Sequence, residues 1–468
     1  MTAQGFADVL IGTQYGDEGK ARVADGKAKE YDVIARFNGG ANAGHTIVHD
    51  GKSIALHQVP SGIFYKNTSM YIGSGCVINI SKLDEELENL KKSGIDARER
   101  LHISSQASVI QPHHLAIDAN IGSTIGTTKN GIGPAYADRA LRMWGERVLN
   151  IRMGDLQNDP DTYFRMMRAN FEAMAALHGY TADIDSELAE MKKDFEAIAP
   201  LIEKDTLFLQ KKVMGGAKVL FEGAQAFMLD VVKGLVPYVT SSGTTAAAAY
   251  GGGDLSPDCH RKTIGVAKVI MSRVGHGPFP SEFGGMQSEE YCMKANADGS
   301  PMYGKAVEAA YDVDALLASS DPFDVGKAIR VLSGEYGTTT TRPRRIGVFD
   351  LVQLSHAVKI NGIKSLVLTK CDLLQAYSRT KNGMIPLVTG YELDGEMIDY
   401  VPASLNAYQR VKPIIEYREG FTEDIKNAKN PSDLPSALKK VLKEIEERAG
   451  CAVEGIGVGS DREEYVTL

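Results

Sequence analysis

Short apolar runs rich in β-branched residues recur along the chain, with amphipathic helical patterns between them. They occupy Asp8–Thr13, Asp32–Phe37, Lys218–Phe221, Thr263–Ile270 and Ser365–Leu368. This alternation predicts βαβ units and a large, mostly parallel central sheet flanked by helices. The clearest helices are Lys82–Lys92 and Pro435–Arg448. In the second, Leu438, Leu442 and Ile445 share a face, Ser432 stands where a cap is needed, and Gly450 follows the end. Residues 150–212 carry a mainly helical pattern and read as an insertion over the sheet. No repeat or low-complexity linker interrupts the chain, so residues 1–468 read as a single elaborated α/β domain.

Three segments break the pattern, 122–136, 236–256 and 334–347, all rich in Gly, Thr and Ser. Loops of this length inside a compact domain usually bind something. Flexible surface is the bland alternative, but these loops combine hydroxyls, backbone amides and nearby arginines, the groups that hold phosphate.

Composition narrows the class. The formal net charge of −8 argues against a nucleic-acid partner, which needs a concentrated basic face. No run of 18 apolar residues occurs, and no basic segment precedes an apolar stretch at the N-terminus, so neither a membrane span nor a secretory signal is expected. Cys76, Cys259, Cys292, Cys371 and Cys451 are scattered, odd in number and never in C-x-x-C. They read as reduced thiols of a cytoplasmic protein.

The first predicted strand runs into Gly12-Thr13-Gln14-Tyr15-Gly16-Asp17-Glu18-Gly19-Lys20, and a helical pattern follows. A strand, a glycine-rich turn and a helix place free N–H groups and a positive dipole end where an anion can sit. The arrangement is P-loop-like but is not a Walker A. Gln14 stands where that motif needs glycine, and Ala21 where it needs Ser or Thr. Asp17 occupies the turn, where a carboxylate among phosphates must hold a cation or take a proton, and Lys20 can neutralise phosphate. No complete G-x-G-x-x-G occurs, which removes the main support for a nicotinamide enzyme. The second strand enters Asn38-Gly39-Gly40-Ala41-Asn42-Ala43-Gly44-His45-Thr46. Two successive βα-type turns would bring Asp17 and His45 to one sheet edge, where a carboxylate and an imidazole can divide base and acid roles. A histidine that only bonds the loop backbone is the other reading.

Gly16-Asp17-Glu18-Gly19-Lys20 followed by Asn42-Ala43-Gly44-His45-Thr46 resembles the paired signature of the adenylosuccinate synthetase family. Further motifs similar to that family follow in order: Ile125-Gly126-Thr127-Thr128, Gly131 to Tyr136, Phe221-Glu222-Gly223-Ala224-Gln225, Pro237 to Ser242, and Gly277-Pro278-Phe279-Pro280. The ordered set spans nearly the whole chain. After the strand at Ser365–Leu368 comes Thr369-Lys370-Cys371-Asp372. A carboxylate there can accept from guanine N1–H and the exocyclic amine, whereas adenine offers no matching pair of donors. A helix-capping Asp372 is the alternative. Arg342, Arg344 and Arg345, beside Thr338, Thr339 and Thr340, form a guanidinium cluster suited to a dicarboxylate, or else a solvated basic loop.

The resemblance implies a GTP-dependent ligase that joins L-aspartate to IMP through a 6-phosphoryl-IMP intermediate. It implies Asp17 as base and, with the Gly44 carbonyl, as ligand of Mg2+, with His45 as acid and Lys20 on phosphate. Asn42, Thr128, Gln225 and Thr240 fall on IMP, and Gln225 also among the catalytic groups. Thr338, Thr339, Thr340, Arg342 and Arg344 fall on aspartate. Gly16, Glu18, Gly19, Lys20, Thr46, Arg344, Lys370, Asp372, Gly457 and Gly459 fall on GTP. The resemblance also implies a homodimer in which Arg142 reaches the neighbouring subunit's IMP site. Without it, Arg142 reads as a surface arginine. The chain departs from the common pattern at Tyr15, Ala21, Arg22, Ala41, Gly243 and Pro343. Two rivals remain: a relative acting on another purine such as dGMP, and a non-catalytic guanine-nucleotide switch. The first lacks the carboxylate that Asp17 supplies, and the second leaves His45 and the arginines without a role.

Overall fold

The computed structural model describes residues 5–49, 52–125, 127–337 and 341–468. Its centre is a ten-stranded sheet. Across the sheet the strands run Ile202–Glu203, Leu101–Ser104, Ser69–Ile72, Val33–Arg36, Lys218–Glu222, Phe6–Gly12, His260–Lys268, Ile363–Thr369, Ala452–Gly457 and Tyr465–Thr467. Every neighbouring pair is parallel except the last. The apolar runs form strands because both faces of the sheet are covered, so a continuous hydrophobic segment is what each position requires. Leu10, Ile34, Leu220, Ile264 and Val367 pack on one face against Val23 and Ala24 of the helix Lys20–Lys27. Val9, Ile11, Ala35, Val219 and Leu366 enter the large core on the other.

Helices Met153–Asn158, Pro160–His178, Ile184–Ile198 and Phe208–Met214 fill the stretch from 153 to 214. Phe164, Met167, Leu188, Met191 and Phe195 pack there against Leu83, Leu87 and Leu90 of the helix Ile80–Lys92.

Three sequence expectations change. Ser432 does not cap the last helix, Ser436–Ala449, because Pro431–Asp433 forms its own turn and Pro435 precedes the helix without a side-chain cap. Segment 122–136 is not one long loop, since helices Pro112–Ile125 and Ile132–Leu141 take its two ends. The turn after Val33–Arg36 leads to an antiparallel hairpin, His45–His49 with Lys52–Leu56, and not to a helix. All five cysteines are free. Among the described residues no helix is long and apolar enough to cross a membrane.

Candidate active site

The loop from Thr13 to Gly19 leaves the carboxyl end of the central strand and folds around one buried carboxylate. Glu18 accepts from the Gly16 amide at 2.8 Å and the Gln14 amide at 3.3 Å, and its other oxygen lies 2.8 Å from Lys20 Nζ. Room for that carboxylate exists because residue 12 is glycine: a Cβ there would stand 2.2 Å from Glu18 Oε2. Glu18, assigned by resemblance to GTP, therefore spends its side chain inside the loop. Gln14, which disqualifies the loop as a Walker A, instead exchanges two 3.0 Å hydrogen bonds with the backbone of Lys268 on the adjacent strand. Gly19 begins the helix Lys20–Lys27 in the left-handed region without any side-chain cap. The first-turn amides are thus left for an anion.

Asp17 sits at φ 58 at the head of this loop, with a third of its side chain exposed, and Arg344 Nη2 lies 3.1 Å from its Oδ2. Arg344 Nη1 in turn donates to Glu335 Oε2 at 2.8 Å. Lys370 Nζ and Lys268 Nζ each lie 2.9 Å from Glu335 Oε1, and the Ser272 hydroxyl donates to Oε2 at 3.0 Å. Burial alone would raise the Glu335 carboxyl, but Lys268, Lys370 and Arg344 hold it well below the ordinary carboxylate range. Burial lowers the Lys268 ammonium against the pull of Glu335. Sequence reading names Asp17, Arg344 and Lys370 but misses Glu335, whose partners lie on other segments.

A third buried carboxylate, Glu222, ends the strand Lys218–Glu222. It accepts from the Ser61 amide at 2.8 Å and the Ser61 hydroxyl at 2.6 Å, and His45 Nδ1 lies 2.6 Å from its Oε1, outside good N–H alignment. Burial lowers the His45 pKa below its usual value, against Glu222, which raises it. Burial raises Glu222, yet the contacts with His45, Arg36 and Ser61 bring it down to about 2. Next to it Gly39, at φ 78, lets side chains converge: a Cβ there would lie 3.2 Å from Gln225 Oε1 and 3.5 Å from Asn42 Oδ1. Gln225 is held at φ 54 with its Oε1 buried and unpartnered, an acceptor without a donor. Asn42 Oδ1 takes the Gly40 amide at 3.1 Å.

The guanine motif lies beyond Ile363–Thr369. Lys370 is left-handed at φ 61, and Asp372 lies in the turn Cys371–Arg379. Burial raises the Asp372 carboxyl, against Lys370, Lys426 and Arg22. Arg22, from the phosphate-loop helix, donates to the carbonyls of Gly459, Asp461 and Glu464 at 2.5, 2.6 and 2.7 Å. Gly457 and Gly459 are thereby tied to the same helix that follows Asp17. Arg462 adds a 2.5 Å ion pair to buried Asp25. Among the other departures, Tyr15 is buried under Arg273, and Gly243 brings its backbone so near Ala248 that a Cβ would stand 2.9 Å from that methyl.

Other candidates stand apart from these contacts. Thr128 is exposed and its hydroxyl accepts from Asn130 at 3.1 Å, while Asn130 also reaches the Ala41 carbonyl at 3.4 Å. Thr240 is half-buried, its amide on the Leu229 carbonyl. Arg142 is exposed at φ 68, beside Leu141, Met143 and Trp144, which are 55%, 51% and 41% exposed. Arg342 donates to the Met293 carbonyl at 3.0 Å. Thr338, Thr339 and Thr340, and the side chain of Thr46, lie outside the described residues.

Among the described residues one cluster has metal-ligand composition: His113 and His114 place Nε2 2.8 and 3.0 Å from Asp138 Oδ2. The Gln111 amide donates to His114 Nδ1 at 3.0 Å, which leaves the ring proton on Nε2, facing the carboxylate. The cluster therefore joins helix Pro112–Ile125 to Ile132–Leu141, which ends at Arg142, and does not offer His114 to a metal.

A family model described as adenylosuccinate synthetase matches residues 9–466. Adenylosuccinate synthetase 2 of Cupriavidus pinatubonensis is 45% identical over 98% of this chain and 97% of its own length. The adenylosuccinate synthetase of Enterococcus faecalis is 37% identical over 98% of this chain and 97% of its own. Among solved structures, the fully ligated adenylosuccinate synthetase of Plasmodium falciparum superposes with a TM-score of 0.85 at 31% identity, covering 99% of this chain and all of that one. A cyanophage S-2L succinoaminodeoxyadenylate synthetase, bound to dGMP and dATP, shares the fold with a TM-score of 0.58 at 20% identity, over 99% of this chain and 95% of its own.

Proposed function

The chain belongs to the adenylosuccinate synthetase family, and from that premise we propose that it joins IMP to L-aspartate at the expense of GTP. Its products are adenylosuccinate, GDP and phosphate. The purine 6-oxygen is a poor leaving group, so it must first be phosphorylated. Asp17 takes the proton from N1, and O6 attacks the γ-phosphate of GTP while Lys20 and the amides at Gly19–Lys20 receive the phosphates. His45, whose pKa burial lowers, donates an N–H to the transferring phosphoryl. Gln225 and Asn42 orient the nucleotide from beside Gly39. The aspartate amine then displaces phosphate at C6.

Magnesium fits this loop as far as its donors go. Asp17 is a hard oxygen ligand whose Oδ1 has no partner among the described residues, and Gly44 supplies a carbonyl. When bound, the ion neutralises charge on the phosphates. Arg344 grips the aspartate carboxylates, joined by Arg342 and the three threonines. Lys370 lies along the guanine while Asp372 accepts from it, under the loop at Gly457 and Gly459. Thr128 and Thr240 complete the IMP site, with Arg142 from a second subunit. Exposed Leu141, Met143 and Trp144 around Arg142 support that dimer, since adjoining apolar side chains in water mark an interface.

The observation that carries the reading is the 3.1 Å approach of Arg344 to Asp17, which joins a proton acceptor and a carboxylate reader where the substrates must meet. The test is incubation with GTP and aspartate plus either IMP or dGMP, followed by absorbance. An adduct with IMP is expected. An adduct with dGMP alone, or none, overturns the reading.

A further inference from the structure

Glu335 has no part in the scheme above, yet it is 1% exposed and three cations converge on it. They come from separate segments. Lys268 ends one sheet strand, Lys370 follows the next, and Arg344 comes from the far end of the loop that Glu335 opens. Helix Pro322–Ser333 closes on Gly334 at φ 65, which turns the chain inward at Glu335. The Glu335 carbonyl then accepts the Arg344 amide at 3.0 Å, so backbone and side chain pin the same arginine. Ser272 donates its hydroxyl to Glu335 and accepts from Lys268 Nζ at 2.5 Å, leaving little freedom to the carboxylate.

Without that carboxylate the cations would repel one another in a region of weak screening. Two of them are, on the proposed function, the readers of different substrates: Arg344 of aspartate, Lys370 of guanine. We infer that Glu335 is a positioning residue that sets the aspartate reader and the guanine reader from one buried carboxylate, so that aspartate and GTP affinity depend on it jointly. The inference rests on the proposed function. It assigns Glu335 no contact with substrate.

Glu335→Gln keeps the shape but turns an amide donor toward the cations. It should raise KM for both aspartate and GTP by roughly tenfold or more, the scale of losing a charge-assisted hydrogen bond, with KM for IMP within about twofold. Glu335→Asp should recover part of both losses. Ser272→Ala removes only a neutral donor to the carboxylate and should raise the same two KM values by about threefold. If Glu335→Gln does not fold, Ser272→Ala decides alone. Thermal melts separate the purely structural alternative, in which stability drops while both KM values stay within about twofold, and that result overturns the inference. So does a rise in one KM without the other. Should the parent form no adduct, the functional reading has failed, and calorimetric GTP binding to the parent and both variants decides. Weakened binding in the variants then supports Glu335 as a positioner. Unchanged binding, or none in the parent, overturns it.

Discussion

Around Glu18, Glu222 and Glu335 the carboxyl edge of the sheet is dry, each carboxylate 1% exposed or less and each holding a lysine, an arginine or an imidazole. Along residues 127–148 the same site is wet: Thr128 and Arg142 are exposed, with apolar side chains in water beside them. On the proposed function the inner groups act on protons and phosphates, where charge moves, and donors fixed beforehand need no reorganisation as charge develops. On the same reading the outer groups recognise a nucleotide that arrives from solution. On the proposed function they are completed by a second subunit, so in the isolated chain they stay exposed. Burial of carboxylates thus divides the site into a prebuilt part and a part assembled with substrate.

The largest effect belongs to Asp17, an inner-edge carboxylate left partly exposed. Asp17→Asn should cut turnover at least ~100-fold, the usual scale for losing a general base. The fold should survive, since Asp17 is a third exposed and its ion pair is with Arg344, which Glu335 also holds. Turnover within about fivefold of the parent would remove Asp17 from the chemistry. The outer half is tested by Arg142→Leu, which alone should lose roughly tenfold or more if a phosphate contact disappears. Mixed under subunit exchange with the Asp17→Asn chain, it should regain activity. Random pairing makes about half the dimers hybrid, each with one intact site, so roughly a quarter of parental activity returns. Rates equal to the sum of the two mutants, with exchange confirmed by mass, place Arg142 outside a shared site.

How much of this is legible in the sequence follows the same division. The sheet is readable because its strands are covered on both faces, so each must be a continuous apolar run. The phosphate loop is readable because glycine, acid and lysine fall within a few consecutive positions. Glu335 and Glu222 are not readable as hubs, because their partners are brought in by topology: Ser61 and Glu222 stand 161 positions apart. The hairpin after Gly44 is missed because it pairs with itself instead of continuing the βα alternation. The Ser432 cap fails for a local reason, since Pro431 starts a separate turn.

Glu222 gives the comparison a pH test. Its folded pKa, about 2, lies below the ordinary 4.5. The ionised carboxylate therefore contributes stability that is present above about pH 4.5 and lost as pH falls toward about 2. Glu222→Gln should lower stability at neutral pH by about 2 kcal/mol, as the Ser61 donors lose a charged acceptor, and should flatten the acid limb of the melting profile. No outer residue in 127–130 should change that limb. An unaltered limb in Glu222→Gln would mean that its carboxylate is not the group that titrates.

The smallest effect probes the seam between the phosphate loop and the guanine end. Arg22 spans three carbonyls with two guanidinium nitrogens, a geometry that a single ammonium on a flexible stem cannot copy. The resembled family commonly has lysine here, so Arg22→Lys restores the common residue while removing the fork. Because the gripped carbonyls belong to residues 459, 461 and 464, the loss falls on the segment that the proposed function places over guanine and not on Asp17. KM for GTP should rise about three- to fivefold, the worth of roughly one hydrogen bond, with KM for IMP and aspartate unchanged. Amide hydrogen exchange should speed up across residues 457–464 and remain unaltered at Gly16–Lys20, where Glu18 keeps its own bonds. Faster exchange in both segments would show that Arg22 also holds the phosphate loop, and the inner site would then be less self-sufficient than its buried carboxylates imply. Unchanged exchange and unchanged KM for GTP would show that the C-terminal segment is held without Arg22, by contacts such as Arg462 to Asp25 and Lys429 to the Glu463 carbonyl.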